Sequence, residues 1–169
     1  MVKAEFSIVQ DTQEKKPRLF PDRDVVIKKL KTGDYSIEGF EDRLSIETKA
    51  VSDIIGTCGF KNRDRFKREL ERAMDFDFFA ILIDGTEEDV RDACAKLYKR
   101  QFGQWTAKAR RGIKCRKPMR PEVRFAGIIG SLKSWRSTFN AHFYFTGSPQ
   151  KTSEWIDEAF SYYVKSRDK

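Results

Sequence analysis

Arg43-Leu44-Ser45-Ile46-Glu47-Thr48-Lys49 alternates apolar and polar side chains with a period of two, the pattern of a strand with one face in a core. Leu44 and Ile46 point one way, and Ser45, Glu47 and Lys49 point the other. Glu47 and Lys49 therefore emerge on one surface about 7 Å apart along the strand. The same alternation puts Thr48 on the core side. Upstream, Gly39-Phe40-Glu41-Asp42 reads as a hairpin tip. Tyr35-Ser36-Ile37 reads as its partner strand, entered through a Lys31-Thr32-Gly33-Asp34 turn. Val25-Val26-Ile27 is a further β-branched run. Phe6 to Val9 is a short strand candidate that ends in the polar stretch Gln10-Asp11-Thr12-Gln13-Glu14. Carboxylates thus sit at strand ends.

Downstream of the central strand, Ser52-Asp53-Ile54-Ile55 reads as a turn. A helix follows from about Asn62 to Met74, with Phe66, Leu70 and Ala73 as its buried stripe and Arg65, Arg68 and Arg72 on another face. Phe78-Phe79-Ala80-Ile81-Leu82-Ile83, closed by Asp84-Gly85, is an unbroken apolar run expected of a strand covered on both faces. Thr86 with Asp89 offers a capped start to a helix carrying Val90, Ala93, Cys94 and Leu97. Ile128, Ile129, Leu132, Trp135 and Phe139 recur at helical spacing, His142 to Phe145 reads as a strand, and Trp155 to Tyr163 marks a last helix. The alternation of strands and helices predicts an α/β layered fold. The length of 169 residues predicts one domain over residues 1–169.

The chain holds 34 Lys or Arg against 26 Asp or Glu, a formal charge of +8, which favours a polyanionic partner such as nucleic acid. Ten of the basic residues fall between Lys96 and Arg120, where no acid occurs. The remainder is nearly neutral, so the surplus is local. Gly103, Gly112 and Pro118 interrupt this segment, which reads as a loop or arm with partial helix at about 99–121. Phe102 and Trp105 lie among its cations, in position to stack on unpaired bases. Cys58, Cys94 and Cys115 form no CxxC pair, and His142 is the sole histidine; this argues against zinc and suits a reducing, cytoplasmic compartment. No apolar run approaches the roughly 20 residues that cross a bilayer, and a membrane partner is not expected.

Asp34 followed by Glu47-Thr48-Lys49 on the next strand fits metal-assisted phosphodiester hydrolysis. Two carboxylates from neighbouring strands supply hard oxygen ligands for Mg²⁺ or Mn²⁺. A lysine beside them orients or helps deprotonate a water and offsets charge on the phosphate. By itself this pattern also describes a solvated, salt-bridged hairpin. His142, in an apolar strand, reads as a core or edge histidine rather than a general base.

The longer string of Gly33-Asp34-Tyr35-Ser36-Ile37, Glu47-Thr48-Lys49 and Asp53, preceded by Asp11-Thr12-Gln13-Glu14, resembles the ERCC4-type nuclease domain of the PD-(D/E)XK, or restriction-endonuclease-like, superfamily. Arg63 to Arg72 is similar to that family's basic helix, Phe79 to Gly85 to its following strand, and the C-terminal helices to compact bacteriophage and bacterial versions. The resemblance implies a central mixed sheet flanked by helices, and a Mg²⁺- or Mn²⁺-dependent DNA endonuclease acting on branched, flap or nicked DNA in a bacterial or phage-infected cytosol. It implies metal ligation by Asp34 and Glu47, with Asp11 and Glu14 as further ligands, a catalytic role for Lys49, and support from Asp53. Thr48 and Gln13 stand where the family usually has arginine. Thr48, read as core-facing, leaves the ligands untouched in this reading.

Arg63, Arg65 and Arg68 on the helix, with Lys108, Arg110 and Arg111 on the arm, are the candidate DNA contacts. A homodimer through the Trp135 and Trp155 helices is the alternative to their serving as core. The competing functional reading is a non-catalytic nucleic-acid-binding or assembly module on a nuclease fold.

Overall fold

Which end of a sheet each carboxylate reaches depends on strand direction, and strand direction is what the tertiary structure supplies. A computed structural model describes residues 5–167, the side chains of residues 60 and 61 excepted. The strands are β1 (Ile8–Gln10), β2 (Val25–Ile27), β3 (Tyr35–Ile37), β4 (Leu44–Ala50), β5 (Phe78–Asp84) and β6 (His142–Phe145). The helices are α1 (Val51–Thr57), α2 (Phe60–Arg72), α3 (Glu87–Arg110), α4 (Pro121–Phe139) and α5 (Pro149–Arg167). One mixed six-stranded sheet runs in the order β2-β1-β3-β4-β5-β6. β3 is antiparallel to both β1 and β4, whereas β4, β5 and β6 are mutually parallel.

The alternation in β4 divides the core as expected. Leu44 and Ile46, with Ala80, Leu82, Tyr35 and Ile37, pack against Ile156 and Phe160 of α5. On the opposite face Phe79, Ile81 and Ile83 pack against Phe66, Leu70 and Trp135 of α2 and α4. The register Glu47 to Ile81 and Lys49 to Ile83 puts both charged side chains on this second face, at the edge of the α2 core. Trp135 is 1% exposed, so it belongs to the core. His142 stacks beside Phe78 and Tyr144, where burial lowers its pKa and Arg136 lowers it further.

Two local expectations differ from what forms. Val51 to Thr57 is a helix rather than a turn, because Ile54 finds a fully buried place against the second core. The basic segment is helical as far as Arg110, since α3 continues for 24 residues from a capping box between Thr86 and Asp89. Gly103 lies inside this helix, where an added Cβ would meet nothing within 4 Å; of the basic segment only residues 111–120 are irregular.

Gly33 has φ +82°, a left-handed conformation that glycine adopts without a steric cost. A Cβ there would also lie 2.1 Å from Ser45 Oγ. That hydroxyl is buried and donates to the carbonyls of Thr32 and Tyr35. Gly33→Ala therefore destabilises the protein by about 1–3 kcal/mol through overpacking and backbone strain, measured as a lower denaturation midpoint; an unchanged midpoint contradicts it.

Candidate active site

β1 and β4 run toward the same end of the sheet, and β3 runs away from it. The residues after β1, before β3 and at the end of β4 are consequently brought together. Glu14, Asp34, Glu47, Lys49, Asp53 and Arg65 line one cleft of about 510 Å³ at this end. Asp34 is fixed by backbone bonds on both sides: its N–H donates to Ile46 at 2.8 Å, and its carbonyl accepts from the N–H of Asp11 at 2.8 Å.

One carboxylate oxygen of Asp34, Oδ2, accepts from the Thr48 N–H at 2.7 Å and from the Thr48 hydroxyl at 2.8 Å. The other is not held by these bonds. Thr48 Oγ1 lies 3.5 Å from Glu14 Oε2. This corrects the reading of Thr48 as a bystander: it lies on the Leu44 and Ile46 face, but at the strand's open end its hydroxyl reaches the carboxylate beside it.

Lys49 Nζ donates to Glu47 Oε1 at 2.6 Å, and both side chains are largely buried, at 12% and 13% exposure. The ammonium also sits 4.8 Å from the centre of the Phe66 ring, a favourable cation–π placement. Glu69, one helical turn beyond Phe66 on α2, lines the same cleft. Burial chiefly, and then Glu47, push the pKa of Asp34 up to about 8 against the two hydrogen bonds from Thr48. Burial likewise raises Glu47 to about 7, with Glu69 adding to the rise and Lys49 opposing it. For Lys49, burial opposes the charge, but Glu47, Glu69 and Asp34 outweigh it and hold its pKa above the ordinary lysine value. Lys49 is thus an ammonium at neutral pH in a cluster short of positive charge.

Of the four carboxylates expected as ligands, Glu14, Asp34 and Glu47 share the cleft and Asp11 stands apart. Asp11 is 8% exposed. Its Oδ1 accepts from the Leu30 N–H at 2.7 Å and its Oδ2 from the Gln13 N–H at 2.9 Å. Both oxygens are spent on shaping the loop that carries Glu14, and Asp11 does not line the cleft. Among the described residues no three Asp, Glu, His or Cys side chains are grouped as a metal cluster. Asp34 and Glu47 nonetheless suit a small hard cation that keeps several waters, because they are desolvated oxygen donors whose raised pKa values a positive charge would relieve.

The candidate DNA contacts are dispersed. Arg65 is exposed at the cleft. Arg63 turns away and donates to Ser131 Oγ at 2.7 Å, over the ring of Trp135; it fastens α2 to α4. Arg68 is exposed but lies outside the cleft, as do Lys108, Arg110 and Arg111. The residues not anticipated are Thr48, Glu69 and the loop cations Lys15, Lys16 and Arg18. Arg18 forms a buried ion pair with Asp84, which also accepts from Thr152 at 2.6 Å. The Arg18 N–H donates to Tyr35 Oη at 2.8 Å. The loop is thereby pinned to the sheet and to α5. Helical spacing put Glu69 near Phe66; the other contacts had no local signal.

Among the described residues no helix is long and apolar enough to cross a membrane. An ERCC4 domain matches residues 11–159, and no curated protein sequence matches the chain. Among solved structures the fold is similar to XPF from Aeropyrum pernix, with a TM-score of 0.62 and 14% identity over 94% of this chain. It is also similar to XPF from Aeropyrum pernix in complex with DNA, with a TM-score of 0.61 and 14% identity over 96% of this chain. The chain spans 65% and 66% of the length of those two. With the match covering most of its length and the strand ends converging as described, the chain belongs to the ERCC4 domain family.

Proposed function

We propose that this protein is a Mg²⁺- or Mn²⁺-dependent DNA endonuclease. The observation that carries the reading is the convergence of Asp34, Glu47 and Lys49 in one cleft, two desolvated carboxylates with a buried ammonium against them. Membership of the ERCC4 domain family and the likeness to a DNA-bound XPF support a DNA substrate. Branched, flap or nicked DNA is the substrate class proposed.

In this reading Asp34 and Glu47 hold the cation. When bound, it polarises a phosphate oxygen and lowers the pKa of a water. Thr48, through its N–H and hydroxyl, fixes the orientation of the Asp34 carboxylate. Lys49 keeps its proton and contributes a fixed positive charge, which stabilises the charge that grows on the phosphate. The Phe66 ring, 4.8 Å from that ammonium, adds a cation–π contact that favours its charged form. Hydrolysis adds water across one P–O bond, leaving a phosphomonoester on one fragment and a hydroxyl on the other. Glu14, which lies beside Thr48 and adds to the raised pKa of Asp34, is a further ligand in this reading, and Asp53, also in the cleft, supports the set.

The test is a gel assay on linear, single-stranded, nicked, flap and four-way DNA with Mg²⁺, Mn²⁺ or EDTA. Products that require the metal support the enzyme. Binding without cleavage under every metal condition sinks it and leaves a non-catalytic binding module. Thr48→Val is expected to lower kcat/KM by roughly tenfold, the loss of one hydrogen bond to a carboxylate that keeps its backbone donor. An unchanged kcat/KM would return Thr48 to the role of a core residue. A homodimer through the Trp135 and Trp155 helices would use their exposed positions, because Trp135 is buried in the core and Trp155 packs, partly buried, against the cluster of Ile156 and Phe160.

A further inference from the structure

The long helix α3 has a direction that matters. α2 and α4 lie side by side in the same sense, Arg63 meeting Ser131 and Phe66 meeting Trp135. α2 starts beside α1 at the cleft end and leads to the start of β5, so α4 also runs away from the cleft. Residues 111–120 fold back along α3: the Ile113 N–H donates to the Lys108 carbonyl at 3.0 Å, and Trp105 Nε1 donates to the Cys115 carbonyl at 3.3 Å. Arg124 near the start of α4 then reaches Gln101. α3 must therefore run opposite to α4, outward past the end of the sheet at which the carboxylates stand. Its portion beyond Gln101 is about 15 Å long and, with the returning arm, makes a prong on the cleft side of the molecule.

This prong is cationic and internally braced. Its side chains Lys108, Arg110, Arg111, Lys114, Arg116 and Lys117 are all exposed. None of them forms an ion pair among the described residues, and no acid occurs between Asp92 and Glu122. The rings of Tyr98, Phe102 and Trp105 pack against one another with centroids 5.5 and 5.4 Å apart, tilted by 31° and 37°. Trp105 is further occupied by Cys115 on its N–H and by Lys117 at 5.7 Å from its ring. These contacts make the aromatic residues the spine of the prong and favour that role over the platform for unpaired bases expected of them.

We propose that this prong is a phosphate-backbone clamp for the duplex arm of the substrate beside the cleft. The proposal rests on the reading of the protein as a DNA nuclease. Cations without stacking faces grip phosphates irrespective of sequence, and a duplex offers them at twice the density of a single strand. The clamp holds DNA in register and takes no part in the chemistry.

The experiment is fluorescence anisotropy of a duplex and of a single strand of equal length, in EDTA, across a KCl series. The full chain is compared with the variant in which those six residues are alanine. Duplex affinity at 0.1 M salt is expected to fall by roughly 100-fold, with the slope of log K against log salt reduced by about 3 or more. Single-strand affinity is expected to be the lower in the wild type. A second variant, Arg110→Lys, Arg111→Lys and Arg116→Lys, keeps the charge and should keep the wild-type slope. Unchanged affinity and slope in the alanine variant overturn the clamp, as does preferential single-strand binding that Trp105→Ala abolishes. Because the assay is metal-free, a protein that never cuts yet shows the salt effect refutes the nuclease and spares the clamp.

Discussion

Lys49→Ala is expected to lower metal-dependent DNA cleavage by roughly 100- to 1,000-fold, the loss that follows removal of one fixed charge-stabilising donor, while duplex affinity in EDTA stays within about twofold. Duplex binding is assigned to the prong, so removing the ammonium leaves it in place. Lys49 also partners Glu47 at 2.6 Å inside the cleft, and truncation leaves that carboxylate beside Glu69 with its opposing charge gone. Some loss of stability therefore accompanies the variant. Lys49→Arg separates the two effects: it keeps the charge and restores the thermal midpoint, while the larger guanidinium, displaced from Phe66, gives intermediate activity. Single-turnover cleavage and thermal denaturation of both variants make the comparison. Wild-type cleavage by Lys49→Ala would remove the lysine from the mechanism.

The double variant Asp34→Asn, Glu47→Gln is expected to lose cleavage and, in EDTA at pH 8, to unfold at a temperature higher by about 4–8 °C, which corresponds to about 2 kcal/mol in a domain of this size. The sign follows from the raised pKa values. A carboxyl near pKa 4 when unfolded and raised to about 8 or about 7 when folded binds more protons in the native state between those limits. Native stability therefore falls as pH rises from about 4 to about 8. Neutral amides keep the shape and the hydrogen-bond acceptors without that cost, Glu69 remains as counter-charge to the Lys49 ammonium, and the variant's stability should be flatter over this range. Divalent cation should raise the wild-type midpoint at pH 8 and leave that of the variant unchanged. A variant less stable than wild type in EDTA at pH 8, or one that still cuts, would show that these two carboxylates are structural.

Taken alone, the sequence determined the elements whose packing is strictly periodic. Leu44 and Ile46 against Glu47 and Lys49 defined both faces of β4, the apolar run of β5 announced a strand covered on both sides, and Thr86 with Asp89 marked where α3 begins. Each signal is carried by neighbours a few residues apart, where backbone period alone decides which side chains share a face. Only the tertiary structure decided which acids meet. Asp11 carries the same carboxylate as Asp34, but it was captured by the amides of Leu30 and Gln13, partners set by a loop closure that no local pattern encodes. Arg63 and Arg65 are two residues apart on one helix; α4 claimed the first through Ser131 and left the second at the cleft. Thr48 obeyed its alternation and still reached Asp34, because a strand end leaves a hydroxyl free to turn toward the adjoining strand. Periodicity fixes the face a residue occupies; the directions of β1, β3 and β4 decide which faces and ends are brought together, and hence where charge accumulates.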